Sequence, residues 1–381
     1  MQSCRERQSN GRAGRAQASP PRVTFGTIVF NGMPFVPYLL RSLYPYAHQI
    51  IVVEGAVPLM RAMASPTGHS TDGTLEALRH FASDEDPDRK LVIVTAEDEG
   101  HPDGVWPGEK NEMCQAFARR ATGDWLWEVD SDEFYSDIAM ERMLAWLAEH
   151  PQTTAVSFRQ RIFWGSPDWY VAGPFFKGSE TGGQIYRIFR WQPSWTYATH
   201  FPPTVRDDHG RDLRDLILCG ADHTEAMGIF FFHYSLLFRE QVERKWQYYA
   251  ARGDKSADPS VNWVERNWMQ LTEPFHVHNA NRYISWLERH RGPHPREIQN
   301  LWADVLAGRI TATRRPMEDV AELTRDPVFR VIRSLMRTWP SDEELTKRGR
   351  YRWQKTLERL AIWYERRWAR RRGLHPDVGL S

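Results

Sequence analysis

Long apolar runs are missing from this sequence. The longest, Val23–Phe30 and Ile229–Phe232, are strand-sized, far short of the roughly 20 residues a helix needs to cross a bilayer. That argues against a membrane-spanning enzyme. Cysteine is scarce: Cys4, Cys114 and Cys219 are odd in number and scattered. No disulfide framework can be built from them, and a reducing, cytoplasmic compartment is expected. An excess of either charge is missing too. Lys+Arg number 50 and Asp+Glu 49, a formal net charge of +1, so no global field draws the chain onto nucleic acid. The arginine-bearing start of the chain has no apolar segment behind it, and no secretory signal is expected there. What the sequence has in plenty is tryptophan, 17 residues among 13% aromatics.

At 381 residues the length allows two or three domains, or one large domain with an extension. Residues 1–21 mix Gln, Ser, Arg, Gly and Pro without periodicity and read as a disordered tail. From Val23 the pattern alternates. Val23–Phe30, Gln49–Glu54, Leu91–Thr95 and Trp125–Val129 read as strands. Phe35–Tyr44, Thr71–Phe81 (with Ser70 as its cap) and Glu109–Arg120 read as helices. Strand–helix–strand repetition implies parallel strands with crossover helices, an α/β fold. After Pro151 the rhythm changes: Ala155–Trp164, Gln184–Arg190 and Ile229–His233 suggest a mixed continuation of the sheet. From Arg239 the pattern is helical. The expected division is 22–240 for the α/β domain and 241–381 for a helical C-terminal extension.

The sharpest chemical signal is Trp125–Glu133, W-L-W-E-V-D-S-D-E. An apolar strand runs into Asp130 and Asp132, and in open α/β sheets ligands bind beyond the carboxyl ends of the strands. Two carboxylates on one turn suit a hard cation, Mg²⁺ or Mn²⁺, with open positions for phosphate oxygens. A solvated acidic loop has the same letters, so context decides.

That context is a series of motifs in order: V-T-F-G-T-I-V-F-N at 23–31, Ile50–Glu54, S-T-D-G-T at 70–74, Lys110-Asn111, and Gly123-Asp124-Trp125 leading to the D-x-D. Together they resemble the GT-A nucleotide-sugar glycosyltransferases of family 2 type, over roughly residues 22–135. Further on, Tyr186–Arg190, Thr199-His200, Phe232–Ser235 and Lys245–Tyr248 are similar to bacterial enzymes that decorate lipopolysaccharide cores. The resemblance implies a GT-A (Rossmann-like) sheet with a mixed-sheet acceptor half. It implies that Asp130 and Asp132 hold the metal and the nucleotide diphosphate, with His233 completing the metal site. His233 as a core histidine is the alternative. Asn31 in the loop after the first strand and Glu54 at the end of the second would meet the nucleotide. Glu54 could instead cap a helix. Asp72 would lie near the nucleotide or serve the start of its own helix, and Lys110 would meet the diphosphate or stand exposed.

Three departures from the family pattern stand out. Gly55–His69 is inserted before S-T-D-G-T. His200 is followed by Phe201-Pro202-Pro203 where a Glu is usual. The Q-x-x-R-W of processive synthases is absent, since Gln184–Arg187 is followed by Ile188, so transfer of a single sugar is expected. An inverting transfer needs a base for the acceptor hydroxyl. Glu225 ranks first, with Asp222 and His200 next and Asp207 or Asp208 after them; a retaining enzyme needs none. Trp164, Trp169, Tyr170, Trp191, Trp195 and Tyr197 suggest an acceptor region where flat rings meet sugar C–H faces.

Tyr351–Arg372 reads as a basic amphipathic helix, either packed on the body or lying peripherally at the inner, anionic face of a membrane. The expected function is a metal-dependent glycosyltransferase taking a UDP-sugar to a saccharide, lipid-linked glycan or small-molecule acceptor. The alternatives are a sugar nucleotidyltransferase, which Phe30–Pro34 disfavours by lacking a Gly-rich triphosphate loop, and a non-catalytic glycan-binding scaffold of the same fold.

Overall fold

The computed structural model describes residues 20–178, 183–253, 262–278, 284–338 and 348–374, the side chains of 348–352 excepted. The expected tail, 1–21, lies almost wholly outside the described residues. Along the chain the strands are β1 (Val23–Val29), β2 (Gln49–Glu54), β3 (Leu91–Val94), β4 (Trp125–Glu128), β5 (Glu133–Phe134), β6 (Ala155–Phe158) and β7 (Gln160–Trp164). They continue as β8 (Ser166–Ala172), β9 (Ile185–Arg190), β10 (Thr196–Thr199), β11 (Thr204–Arg206), β12 (Leu218–Cys219), β13 (Phe231–Leu236) and β14 (Trp286–Arg289). Two compact units interleave in sequence. The first takes in the chain up to residue 159 with 185–231 and 294–310; the second takes in 160–184, 232–293 and the chain from 311 onward.

The first unit is built on a seven-stranded sheet ordered β12-β6-β9-β4-β1-β2-β3. β1, β2, β3 and β4 are parallel, and β1 and β2 are buried along almost their whole length. Strands covered on both faces read as continuous apolar runs, as these do. The helices Val36–Leu43, Thr74–Asp84 and Lys110–Arg120 make the crossovers. Gly26 lets the third of them press on the sheet: a Cβ there would sit 2.6 Å from the Phe117 ring. β9 then runs antiparallel between β4 and β6, which makes the sheet mixed and gives it the architecture of a GT-A domain.

In the second unit the strands are ordered β14-β8-β7-β13, beside helices Arg239–Ala251, Glu318–Arg325, Pro327–Met336 and Arg348–Arg371. Here the tryptophans are explained. Trp164, Trp268, Trp286, Trp368 and Tyr364 are buried in one core with Phe275 and Phe329. Three of the indole N–H groups reach backbone carbonyls: Trp164 to Val277 at 3.1 Å, Trp268 to Leu236 at 3.0 Å and Trp368 to Leu271 at 2.8 Å. A buried indole brings a large apolar area but needs that acceptor.

The structure departs from the sequence reading at four places. Ala155–Trp164 is not one strand: it breaks at Arg159 into β6 and β7, which belong to different units. The second crossover helix starts at Thr74, behind Gly73 at φ 88°, and Ser70 does not cap it; its Oγ accepts the Asn31 N–H at 2.8 Å. The helix Asp137–Glu149, which apolar spacing alone did not bring out, is capped by the Ser136 hydroxyl accepting from Ala139 N–H. The C-terminal part is mainly helical but contributes β14 to a sheet.

Candidate active site

Every residue of β4 is buried, the glutamate included. Beyond it the chain turns sharply, with Glu133 N–H donating to the Asp130 carbonyl at 3.0 Å. Asp130 and Asp132 thus stand at the carboxyl end of a central parallel strand, neither fully buried. Arg187 reaches this turn from the neighbouring β9. Its Nε and Nη2 donate to Glu133 at 2.9 and 2.5 Å, and Nη2 also donates to Asp130 Oδ2 at 3.0 Å. Glu128 Oε2 lies 3.6 Å from Nη1. Burial works against the guanidinium charge, but Glu133, Asp130 and Glu128 more than reverse it and hold the pKa above its ordinary value. A buried arginine among three carboxylates stays ionised and fixes the turn.

Glu128 links this turn to a second group. The Tyr197 hydroxyl donates to its Oε2, and its Oε1 lies 2.9 Å from His200 Nδ1. His200 Nδ1 is also 3.5 Å from Cys114 Sγ, and the His200 N–H donates to Asn111 Oδ1 at 2.7 Å. Burial, and then the Glu128 charge, push the Tyr197 hydroxyl well above its usual pKa. Lys110 opens the Lys110–Arg120 helix, and its charge acts on the Cys114 thiol.

At the ends of β1 and β2 the inserted loop changes what the expected nucleotide contacts do. Glu54 is buried, and both its oxygens accept: Oε1 from Ser70 N–H at 2.7 Å, Oε2 from His69 Nδ1 at 2.8 Å. His69 Nε2 faces Glu97 at 3.1 Å. The 55–69 segment folds back over the strand end and uses the carboxylate that the family pattern would offer to the nucleotide. Its clasp is backbone-tight: a Cβ on Gly68, at φ +82°, would lie 2.1 Å from the Gly104 carbonyl oxygen. Asn31 Oδ1 accepts Thr71 N–H at 2.8 Å. Asp72 accepts from Met33 N–H at 3.0 Å and from Thr74 N–H and hydroxyl at 3.2 and 2.6 Å. Asn31 and Asp72 therefore stitch the loop after β1 to the start of the Thr74–Asp84 helix, the structural side of the two roles open to Asp72.

The remaining candidates have partners of their own. Asp222 and Glu225, on helix Ala221–Ala226, both engage Arg159, Glu225 at 3.6 Å, with side chains 90% and 61% exposed. Asp207 caps its own turn, accepting from His209 and Arg211 N–H at 2.9 Å, and Asp208 is exposed. His233 sits on β13 in the second unit, its Nδ1 3.1 Å from Gln160 Oε1. Of the aromatics suggested as an acceptor region, Trp164, Trp191 and Tyr197 are buried core. Sequence reasoning gave no role to Glu128, Cys114 or Arg187. The available signal was a charged residue inside an apolar strand, in W-L-W-E and Y-R-I-F, because a buried charge must find a partner.

The donors at the β4 turn are carboxylate oxygens at the edge of a sheet, the chemistry that a hard divalent cation selects, and the Asp130 side chain is 31% exposed. They fit such an ion. Arg187, buried beside them, offsets part of their negative charge.

Residues 68–208 match the model of glycosyl transferase family 2. The matched segment is just over a third of the chain and takes in β4, the D-x-D turn and β9. No curated protein matches. Among solved structures, TarS 1-349 of S. aureus in complex with UDP-GlcNAc is 16% identical, covering 44% of this chain and 45% of that one, with a TM-score of 0.31. Glucosyl-3-phosphoglycerate synthase from Mycobacterium tuberculosis, in complex with Mn²⁺, UDP-glucose and phosphoglyceric acid, is 16% identical over 37% of this chain and 44% of that one, at a TM-score of 0.27. This chain thus spans less than half the length of either, and likenesses of this size say nothing of how its own site is arranged.

Proposed function

We propose that this chain moves one sugar from a nucleotide-activated donor, a UDP-sugar, to a saccharide, lipid-linked glycan or small-molecule acceptor, with the help of Mn²⁺ or Mg²⁺ held by Asp130 and Asp132. The observation that carries this reading is the D-x-D turn at the tip of β4, braced by Arg187 through Glu133. A divalent cation bound there would neutralise the diphosphate as it leaves, where negative charge develops most. In the transfer the acceptor oxygen bonds the anomeric carbon, the bond from that carbon to the diphosphate oxygen breaks with its electron pair, and the acceptor proton passes to a base. Asp130 and Asp132 would hold the cation that meets the diphosphate, Arg187 holds the turn, and Lys110 offers a positive charge toward the diphosphate.

For an inverting course, Glu225 is proposed as the base and Asp222 as its substitute, since His200 directs Nδ1 into Glu128. The helix Arg348–Arg371 supports a peripheral membrane contact. Leu357, Ala361 and Trp368 are buried, whereas Arg359, Trp363, Arg366, Arg367 and Arg370 are exposed, with Arg367 over the Trp363 ring at 5.8 Å. An exposed indole ringed by arginines suits an anionic headgroup layer. No helix among the described residues is long and apolar enough to cross a membrane.

The test is release of UDP from UDP-sugars in the presence of candidate acceptors. Asp132→Ala is expected to abolish Mn²⁺-supported turnover with an unchanged circular dichroism spectrum; full activity in EDTA contradicts the mechanism. For the helix, Arg366→Gln/Arg367→Gln/Arg370→Gln should lose binding to phosphatidylglycerol vesicles while keeping UDP affinity.

A further inference from the structure

Beside the carboxylate turn, the first unit gathers a second and chemically different set of donors. Cys114 Sγ is 3.5 Å from His200 Nδ1, which is 2.9 Å from Glu128 Oε1, and the donor atoms of the three residues all lie within 4.8 Å of one another. They come from three separate places: the Lys110–Arg120 helix, the last residue of β4 and the segment after β10. Glu128 divides its two oxygens. Oε2 accepts from the Tyr197 hydroxyl and faces Arg187, leaving Oε1 toward His200. Asn111 fixes the backbone of His200. Outer hydrogen bonds that orient ligand groups in this way are the usual surroundings of a metal.

A hydrogen bond between Glu128 and His200 accounts for two of the three residues but not for the thiol. Cys114 is fully buried, and burial, then the charges of Glu128 and Asp130, push its pKa well above the ordinary value.

We propose that Cys114, Glu128 and His200 form a site for a borderline-soft divalent cation of the zinc class, separate from the hard-cation site at Asp130 and Asp132. Sulfur and imidazole donors select Zn²⁺ or Co²⁺ over Mg²⁺ and Mn²⁺. A tetrahedral ion about 2.3 Å from sulfur and about 2.0–2.1 Å from nitrogen holds those two donors about 3.5 Å apart, the spacing between Cys114 and His200. The contact from Nδ1 to Oε1 opens by a few tenths of an ångström as the ion replaces the shared proton. Binding releases the thiol proton to solvent and leaves the imidazole neutral, its one ring proton on Nε2, and the fourth position is left for water. The ion pins the segment after β10 to β4 and to the Lys110–Arg120 helix. The site does not depend on the transfer reaction.

The experiment is a Co²⁺ titration of the full chain without Mn²⁺, followed by absorption and paired with the zinc content of the purified protein. One equivalent should produce a near-ultraviolet thiolate-to-cobalt band and tetrahedral visible bands, both removed by Zn²⁺. Cys114→Ser should lose the near-ultraviolet band, and His200→Ala should weaken cobalt binding by about tenfold or more. Asp132→Ala should keep the band, which separates this site from the donor site. A folded wild-type chain that gives no thiolate–cobalt band overturns the proposal, and so does a band that survives in Cys114→Ser. If either variant fails to fold, the wild-type titration and zinc content decide on their own.

Discussion

At the scale of single residues, the site is a balance of buried charge. Arg187 faces Glu133, Asp130 and Glu128, and removing one partner of a buried pair leaves the others without compensation. Arg187→Met is expected to destabilise the fold by about 3–5 kcal/mol, measured as a lowered urea midpoint with an unchanged slope. A change under about 0.5 kcal/mol would mean that the carboxylates find other partners. The place of Asp130 and Asp132 at the end of β4 was legible in the sequence because an apolar strand ran straight into them. Arg187 was visible as a letter in a motif and not as a charge with partners, since those partners come from β4, the turn after it and β5, more than fifty positions away. For Glu54 the place at the end of β2 and the insertion after it were both readable, but not that His69 and Ser70 would bond its oxygens, because spacing does not say what a loop touches.

At the scale of elements, the four parallel strands and their crossover helices were readable from apolar runs, and their observed ends differ from expectation by at most three residues. Ala155–Trp164 misled because a strand that changes sheets at Arg159 keeps the same composition on both sides of the break. The contact between β1 and the Lys110–Arg120 helix rests on the missing side chain of Gly26. Gly26→Ala places a methyl 2.6 Å from the Phe117 ring and should cost about 1–3 kcal/mol through overpacking. Calorimetry should show a lower Tm, with Gly26→Ala/Phe117→Leu recovering part of the loss. No recovery would locate the strain elsewhere.

At the scale of the whole molecule, stability in acid follows from paired carboxylates. Glu85 is held below its ordinary 4.5 by the hydrogen bond from Arg41, and Asp124 below its ordinary 3.8 by the hydrogen bond from Arg22. Because the folded values are the lower ones, the stability these pairs contribute is complete above the ordinary values and is lost as pH falls through the lowered ones. Tm should hold from about pH 8 down to about pH 5 and drop below about pH 4. The gap between wild type and Arg41→Met should close over the same range; a gap that persists in acid would show that Arg41 acts through packing. The account as a whole turns on a cation-dependent nucleotide site at the tip of β4. Titrating UDP into the full chain by calorimetry, with Mn²⁺ and with EDTA, tests it most directly. The expected result is affinity raised by about tenfold or more with Mn²⁺, at least about 1.4 kcal/mol, and no such gain in Asp132→Ala of unchanged Tm. Equal UDP affinity in Mn²⁺ and EDTA, or an Asp132→Ala variant that gains as much as wild type, would contradict it.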